Sequence, residues 1–131
     1  MRIALVLVLI GVLTVLTACG VSLGSEFLLK VGHSAVIRGE DLEISFVDVS
    51  EDSRCARDVE CIWEGRVVVL VELCKDDVSH QMELAQPGLT DQMATANYGD
   101  YAFRYSVEPY PEEGSNIAIG DYRLRLTVSK Q

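Results

Sequence analysis

Four cysteines carry most of the chemistry open to this chain: Cys19, Cys55, Cys61 and Cys74. Cys19 stands at the end of an apolar run, and the other three lie in the body of the chain. Three thiols cannot all pair within one chain. Cys55 and Cys61 flank a turn-like segment containing Asp58, whereas Cys61 and Cys74 bracket residues that read mostly as extended strand. At roughly 3.3 Å per residue, such a strand holds its ends far beyond the ~4.4–6.8 Å between Cα atoms that a disulfide tolerates. The expected pair is Cys55 with Cys61, leaving Cys74 as a free, buried thiol. Thiol oxidoreductases use Cys-x-x-Cys at a helix start, where the dipole lowers the thiol pKa. A Cys-x5-Cys pair in a loop between strands lacks both features. Structural zinc prefers Cys-x2-Cys pairs, and three cysteines with His33 or His80 do not supply that spacing.

Other chemistry is no better marked. Glu51, Asp52, Asp58, Glu60 and Glu64 raise calcium, which takes six to eight oxygens, often from one loop. No Asp-x-Asp-x-Asp-Gly pattern is present, and Arg54 and Arg57 sit among the acids and would repel a cation. Ser, His and Asp occur, but without a nucleophile elbow. His80, on an otherwise apolar strand face, is expected to be hydrogen-bonded and partly buried. No catalytic residue, metal site or cofactor is assigned, and the chain is read as non-enzymatic. The 131 residues carry 20 Asp and Glu against 11 Lys and Arg, a formal charge of −9. That balance argues against a nucleic-acid partner, which needs basic clusters. A hydrophobic content of 49% argues against disorder.

Met1-Arg2 opens a positive start, and residues 3–16 are apolar apart from Gly11 and Thr14. The run is shorter than the roughly 20 residues a membrane span requires and suits a secretory signal. It ends in Leu16-Thr17-Ala18-Cys19, which resembles the lipobox of bacterial lipoproteins. The resemblance implies that Cys19 is acylated on sulfur, by palmitate or a similar chain. It is then cut to become the first residue and acylated again on nitrogen. Small side chains at Thr17 and Ala18 admit a peptidase, and more than one acyl chain is needed for stable anchoring. The expected organisation is a signal peptide at 1–18, helical and detached from the domain; a lipidated Cys and tether at 19–30, flexible through Gly20–Ser25; and a β domain at 31–131. Loss of Arg2 with the signal leaves ten basic residues against twenty acidic. The implied location is the bacterial cell envelope. No Asp follows Cys19, which by the same resemblance favours the outer membrane if the source is Gram-negative.

From about residue 33 the hydrophobic period is two. Leu42, Ile44 and Phe46 alternate with Glu43 and Ser45; Tyr101, Phe103, Tyr105 and Val107 form a second row; Tyr122, Leu124, Leu126 and Val128 a third. Val78, His80, Met82 and Leu84 share a face, and residues 66–73 are apolar on both parities, as in a strand covered on both sides. A shorter strand is expected around 33–38. Gly39-Glu40-Asp41, Lys75-Asp76-Asp77, Pro87-Gly88 and Pro109-Tyr110-Pro111 punctuate these runs, with a long polar loop from Pro87 through Asp100. The fold expected is all-β: a small antiparallel sandwich or partly open barrel of six to seven strands. Arg104, Arg123 and Arg125 fall on outward faces, as a basic patch or as cross-strand partners of acids.

One loop is distinctive: Asp52-Ser53-Arg54-Cys55, then Val59-Glu60-Cys61-Ile62-Trp63-Glu64-Gly65. It is similar to a signature of bacterial exported proteins and lipoproteins that carries no established activity, with Ala56 where that family has Pro. The resemblance implies a β-rich exported domain. A disulfide across this loop would make a rigid knuckle, with Asp52 or Ser53 capping backbone donors, Arg54 paired to a carboxylate, Trp63 lidding the core and Gly65 starting the next strand. Such a loop is a folding staple, or a recognition loop with Arg54, Arg57 and Trp63 as anchors. The reading is therefore a lipid-anchored, non-enzymatic envelope domain for binding or support. Its partners would be the membrane, through Cys19, and an envelope protein or small ligand. The alternatives are a small-ligand or calcium-binding envelope protein and an exported thiol-dependent enzyme.

Overall fold

A computed structural model of the chain describes residues 20–90 and 92–131. Cys19 and the expected signal helix lie outside the described residues. Eight strands form two antiparallel four-stranded sheets. They are β1 (Glu26–Lys30), β2 (Ser34–Ile37), β3 (Leu42–Asp52), β4 (Arg66–Lys75), β5 (Val78–Pro87), β6 (Ala94–Tyr98), β7 (Tyr101–Glu108) and β8 (Arg123–Lys130). One sheet runs β2-β3-β4-β5 and the other β1-β8-β7-β6. The sheets face each other without closing into a barrel, so the architecture is an open sandwich. Consecutive strands pair within β2–β5 and within β6–β8, and the chain changes sheets between β1 and β2 and between β5 and β6.

The period-two rows become the core, because alternate side chains of a strand point to opposite faces. Leu42, Ile44 and Phe46 of β3, Val67, Val69, Val71 and Leu73 of β4, and Leu84 of β5 meet Tyr101, Phe103, Tyr105 and Val107 of β7. Leu124, Leu126 and Val128 of β8 complete the layer. Burial of each such side chain stabilises by about 1.5–3 kcal/mol. Strand β3 keeps its inward row despite its length through two irregularities, at Phe46/Asp48 and Val49/Glu51. Each extra residue reverses the parity. Val49 therefore opposes Val69 in place of Asp48, and Asp52 opposes Val67 at the mouth of the sandwich.

Several expectations need correction. Glu26–Lys30, read as tether, is strand β1, paired to β8 from Glu26↔Thr127 to Lys30↔Arg123. Gly20–Ser25 is held as well: the Val21 amide donates to Val36 O at 2.8 Å, the Arg38 amide to Val21 O at 2.8 Å, and the Gly24 amide to Val128 O at 2.7 Å. Ala94–Tyr98, read as polar loop, is edge strand β6, paired to β7. These two additions make eight strands rather than six or seven. The outward row of β4 is not covered by a second layer: Val68 is buried, but Leu70 is half-buried among its sheet neighbours Asp48 and Glu83.

The strands define two poles. At one, the Arg38–Asp41, Asp76–Asp77 and Gly99–Asp100 turns surround the point where Val21 joins the fold. At the other lie the loop between β3 and β4, the segment after Pro87 and the crossing from β7 to β8. The ten residues of β4 separate the poles by roughly 30 Å.

Candidate functional site

The distinctive loop occupies the second pole. Cys55 and Cys61 are joined there by a disulfide, with 6.0 Å between their Cα atoms, and Cys55 is buried. Asp52 arrives on the inward face of β3 and takes a two-pronged ion pair from Arg54: Nε to Oδ1 and Nη2 to Oδ2, both 2.8 Å. Arg54 is 7% exposed. Its remaining donors cross to the other sheet, Nη1 to Val107 O at 3.1 Å and Nη2 to Pro109 O at 3.0 Å. Tyr122 Oη donates to Asp52 Oδ2 at 2.8 Å. One carboxylate and one guanidinium thus tie both sheets and the start of β8 together. Burial alone would raise the Asp52 carboxyl, but the hydrogen bonds from Arg54 and Tyr122 outweigh it and hold the group below its usual range. Tyr122 is pushed up to about 12, first by burial and then by its bond to that carboxylate.

Ser53 closes the base of the loop. Its amide donates to Arg66 O at 2.8 Å and its Oγ accepts from the Arg66 amide at 3.1 Å. Gly65, with φ +70°, lies so close to Ser53 O that no side chain fits. Gly88 is equally confined by Glu64 O, and its amide donates to Gly65 O at 3.0 Å. Two glycines therefore let three backbone segments touch, which only a residue without Cβ permits.

The candidate anchors separate into different roles. Arg54 is enclosed, and its donors are engaged by the protein. Arg57 is exposed; its guanidinium lies 5.2 Å from the Tyr110 ring centroid, with Arg54 at 5.1 Å from the same ring. Trp63 does not lid the core. It is 55% exposed, and its indole Nε1 donates to Ser53 O at 3.2 Å, which fixes the ring at the surface. Ile62 beside it is fully exposed. A cleft of about 360 Å³ opens next to the loop, lined by Arg57, Thr90, Ser106, Glu108 and Tyr110 among others. The Tyr110 hydroxyl accepts from the Leu89 amide at 3.1 Å, linking cleft and loop. The sequence marks Tyr122 only as a member of the inward row of the last strand and Tyr110 only as part of the Pro109-Tyr110-Pro111 turn; the hydroxyl contacts of both are new.

The remaining candidates lie elsewhere. Cys74 is free and half-buried on the outward row near the far end of β4. About eight residues of strand, roughly 26 Å, separate it from Arg66, where the disulfide loop ends. His80 is exposed rather than partly buried, stacked on Tyr98 across the open edge between the sheets at 5.5 Å between centroids. Glu51 and Asp52 are engaged by Arg66 and Arg54. Among the described residues, no three His, Cys, Asp or Glu side chains gather as a metal site. Arg125 is a cross-strand partner, bonded to Glu108 at 2.9 Å and to Glu26. No known protein family, no curated protein and no solved structure matches this chain.

Proposed function

We propose that this chain is a lipid-anchored protein of the bacterial cell envelope, of the lipobox-bearing exported kind, whose β-sandwich binds a partner without catalysing a reaction. The observation that carries this reading is the polarity of the fold. Gly20, the residue after Cys19, enters at one pole, and the rigid loop with exposed Ile62 and Trp63 stands at the other. A lipid on Cys19 would seat the first pole on the membrane and direct the loop away from it. Paired acyl chains would make the attachment stable, and the short path from Gly20 to the Val21 bridge would keep the domain close to the bilayer.

The test is metabolic labelling of cells making the full-length chain with an alkyne fatty acid, read together with intact mass. Label and lipid mass on the wild type, both lost from Cys19→Ser, are expected. Lipid on the Cys19→Ser product would overturn the reading. The cleft beside Arg57 and Tyr110 favours a second reading, a small polar ligand with an anionic group facing Arg57. Such a ligand would raise the melting temperature with the logarithm of its concentration above Kd.

A further inference from the structure

We infer that the disulfide pole is a docking knob for a protein with a positively charged surface and an apolar recess. The inference rests on the envelope-binding reading and names its partner's chemistry. Among the described residues eight large hydrophobic side chains are exposed, and five of them, Val59, Ile62, Trp63, Leu89 and Ile119, lie at this pole. Concentration of exposed apolar side chains on a polar molecule marks an interaction surface. Ile62 and Trp63 project directly after the disulfide. The knuckle behind them is fixed by the Cys55–Cys61 bond, by the indole bond to Ser53 O and by the Gly65 contact. An anchor already held in place loses little freedom on binding, and Trp is among the residues that most often dominate interface energy.

Charge selects the occupant. Asp58, Glu60 and Glu64 surround the knob, and the Arg57 amide bond to Pro111 O at 3.0 Å brings Glu112 and Glu113 to the same pole. Among the described residues none of these five carboxylates has an ion-pair partner. Of the basic residues nearby, Arg54 pairs with Asp52 and Arg66 with Glu51, while Arg57 over Tyr110 keeps its charge, so among the described residues five unpaired carboxylates outnumber one unpaired guanidinium. A second copy of this chain would bring acid against acid. An anionic lipid surface would be repelled in the same way. A basic protein surface is attracted, and its recess would take up Ile62 and the indole.

The experiment uses the full-length chain in cells that make it, with a benzophenone amino acid introduced at Ile62, and at Leu28 on β1 as the control position. Ultraviolet light should give one discrete protein adduct from Ile62 and none from Leu28. The adduct should fall about tenfold with Glu60→Lys and Glu64→Lys together, which are exposed positions without native partners. It should fall about thirtyfold with Trp63→Ser. Mass spectrometry should place the adduct in a basic surface of the partner. No adduct from Ile62, an equal adduct from Leu28, an adduct with a second copy or with lipid, or indifference to the two charge reversals would each overturn the inference. Fatty-acid labelling in the same cells separates the two proposals. An adduct without lipid label leaves docking intact and removes the anchor. Lipid label without an adduct does the reverse.

Discussion

The two poles solve the same problem, joining one sheet to the other, in opposite ways. At the Gly20 pole the turns are short. Asp76 and Asp77, both at positive φ, make a two-residue hairpin between β4 and β5, a twist that matches paired strands. The closure is a half-buried polar cluster on Glu40, which accepts from the buried Tyr101 Oη at 2.8 Å and from the exposed Lys130 Nζ at 3.2 Å, while Lys75 donates to its backbone oxygen. At the disulfide pole the connections are long; the Cys55–Cys61 bond closes the β3–β4 loop on itself, and the enclosed Asp52–Arg54–Tyr122 group ties the sheets together. A long loop loses more entropy on ordering than a tight turn. It is held by a stronger device, which then presents apolar side chains without collapsing onto them. Economy at one pole contrasts with enforced exposure at the other, and the docking proposal rests on that contrast.

Breaking the buried device should have the largest effect. Arg54→Ala leaves the Asp52 carboxylate and the Val107 and Pro109 carbonyls without their partner. Removal of one member of a buried pair costs about 3–5 kcal/mol. Glu40→Gln at the other pole keeps an acceptor for Tyr101 and loses only the charge facing the half-exposed Lys130, and should change stability by less than about 1 kcal/mol. Urea midpoints of the two variants measure the contrast, and equal losses would remove it.

Glycine substitutions sharpen the same comparison. Gly65 and Gly39 both have positive φ, but only Gly65 faces a backbone atom where a Cβ would sit; Gly39 faces open space. Gly65→Ala combines left-handed strain with overpacking, and about 3 kcal/mol is expected. Gly39→Ala carries only the conformational part, about 1 kcal/mol. Similar urea midpoints for the two would show that the Ser53 contact is unimportant. Cys55→Ser with Cys61→Ser comes next. The sequence separation is only 6, and closing so short a loop stabilises by about 2 kcal/mol on the chain-entropy account. Hydrogen exchange should then rise in the β3–β4 loop and remain unchanged at the Glu40 cluster.

What the sequence revealed follows from what is local. Alternation placed Leu42, Phe103 and Leu124 on the inward face, and strand geometry paired Cys55 with Cys61. Alternation specifies a face, not a depth. His80 shares its row with Leu84, but it lies toward the β4–β5 turn, where the sandwich opens, and is exposed. Strand β1 escaped notice because Phe27, Leu28 and Leu29 are consecutive and follow a Gly- and Ser-containing stretch. Strand β6 escaped because its alternating residues, Ala94, Ala96 and Tyr98, include two too small to read as a hydrophobic row. At the site, Asp52, Ser53 and Gly65 were legible from turn chemistry. The carboxylate partner expected for Arg54 is Asp52; its crossing to the other sheet was not legible, because its acceptors at Val107 and Pro109 lie 53 and 55 residues away. Whether Trp63 turned inward or outward depended on that same distant packing.

The smallest effect is the dependence on pH, and it differs between the poles in depth rather than in sign. Asp52 and Glu40 both have folded-state pKa values below the ordinary ones of 3.8 and 4.5. For Glu40 the cause is first the Tyr101 hydrogen bond and then Lys130. Each therefore contributes stability that is complete above its ordinary value and is lost as pH falls through the lower folded value. Asp52 is paired with the enclosed Arg54, so protonation there weakens a buried pair, whereas the cation facing Glu40 is the half-exposed Lys130, whose attraction water screens. Urea midpoints measured from about pH 7 down to about pH 3 should decline for the wild type and for Glu40→Gln. They should flatten for Asp52→Asn, from a lower starting stability. On the alkaline side Tyr122 has its pKa raised, so its contribution is complete below about pH 10 and is lost as pH rises towards about 12. Tyr122→Phe should remove that decline. An acid limb that vanished with Glu40→Gln and survived Asp52→Asn would place the stronger closure at the Gly20 pole and reverse the comparison.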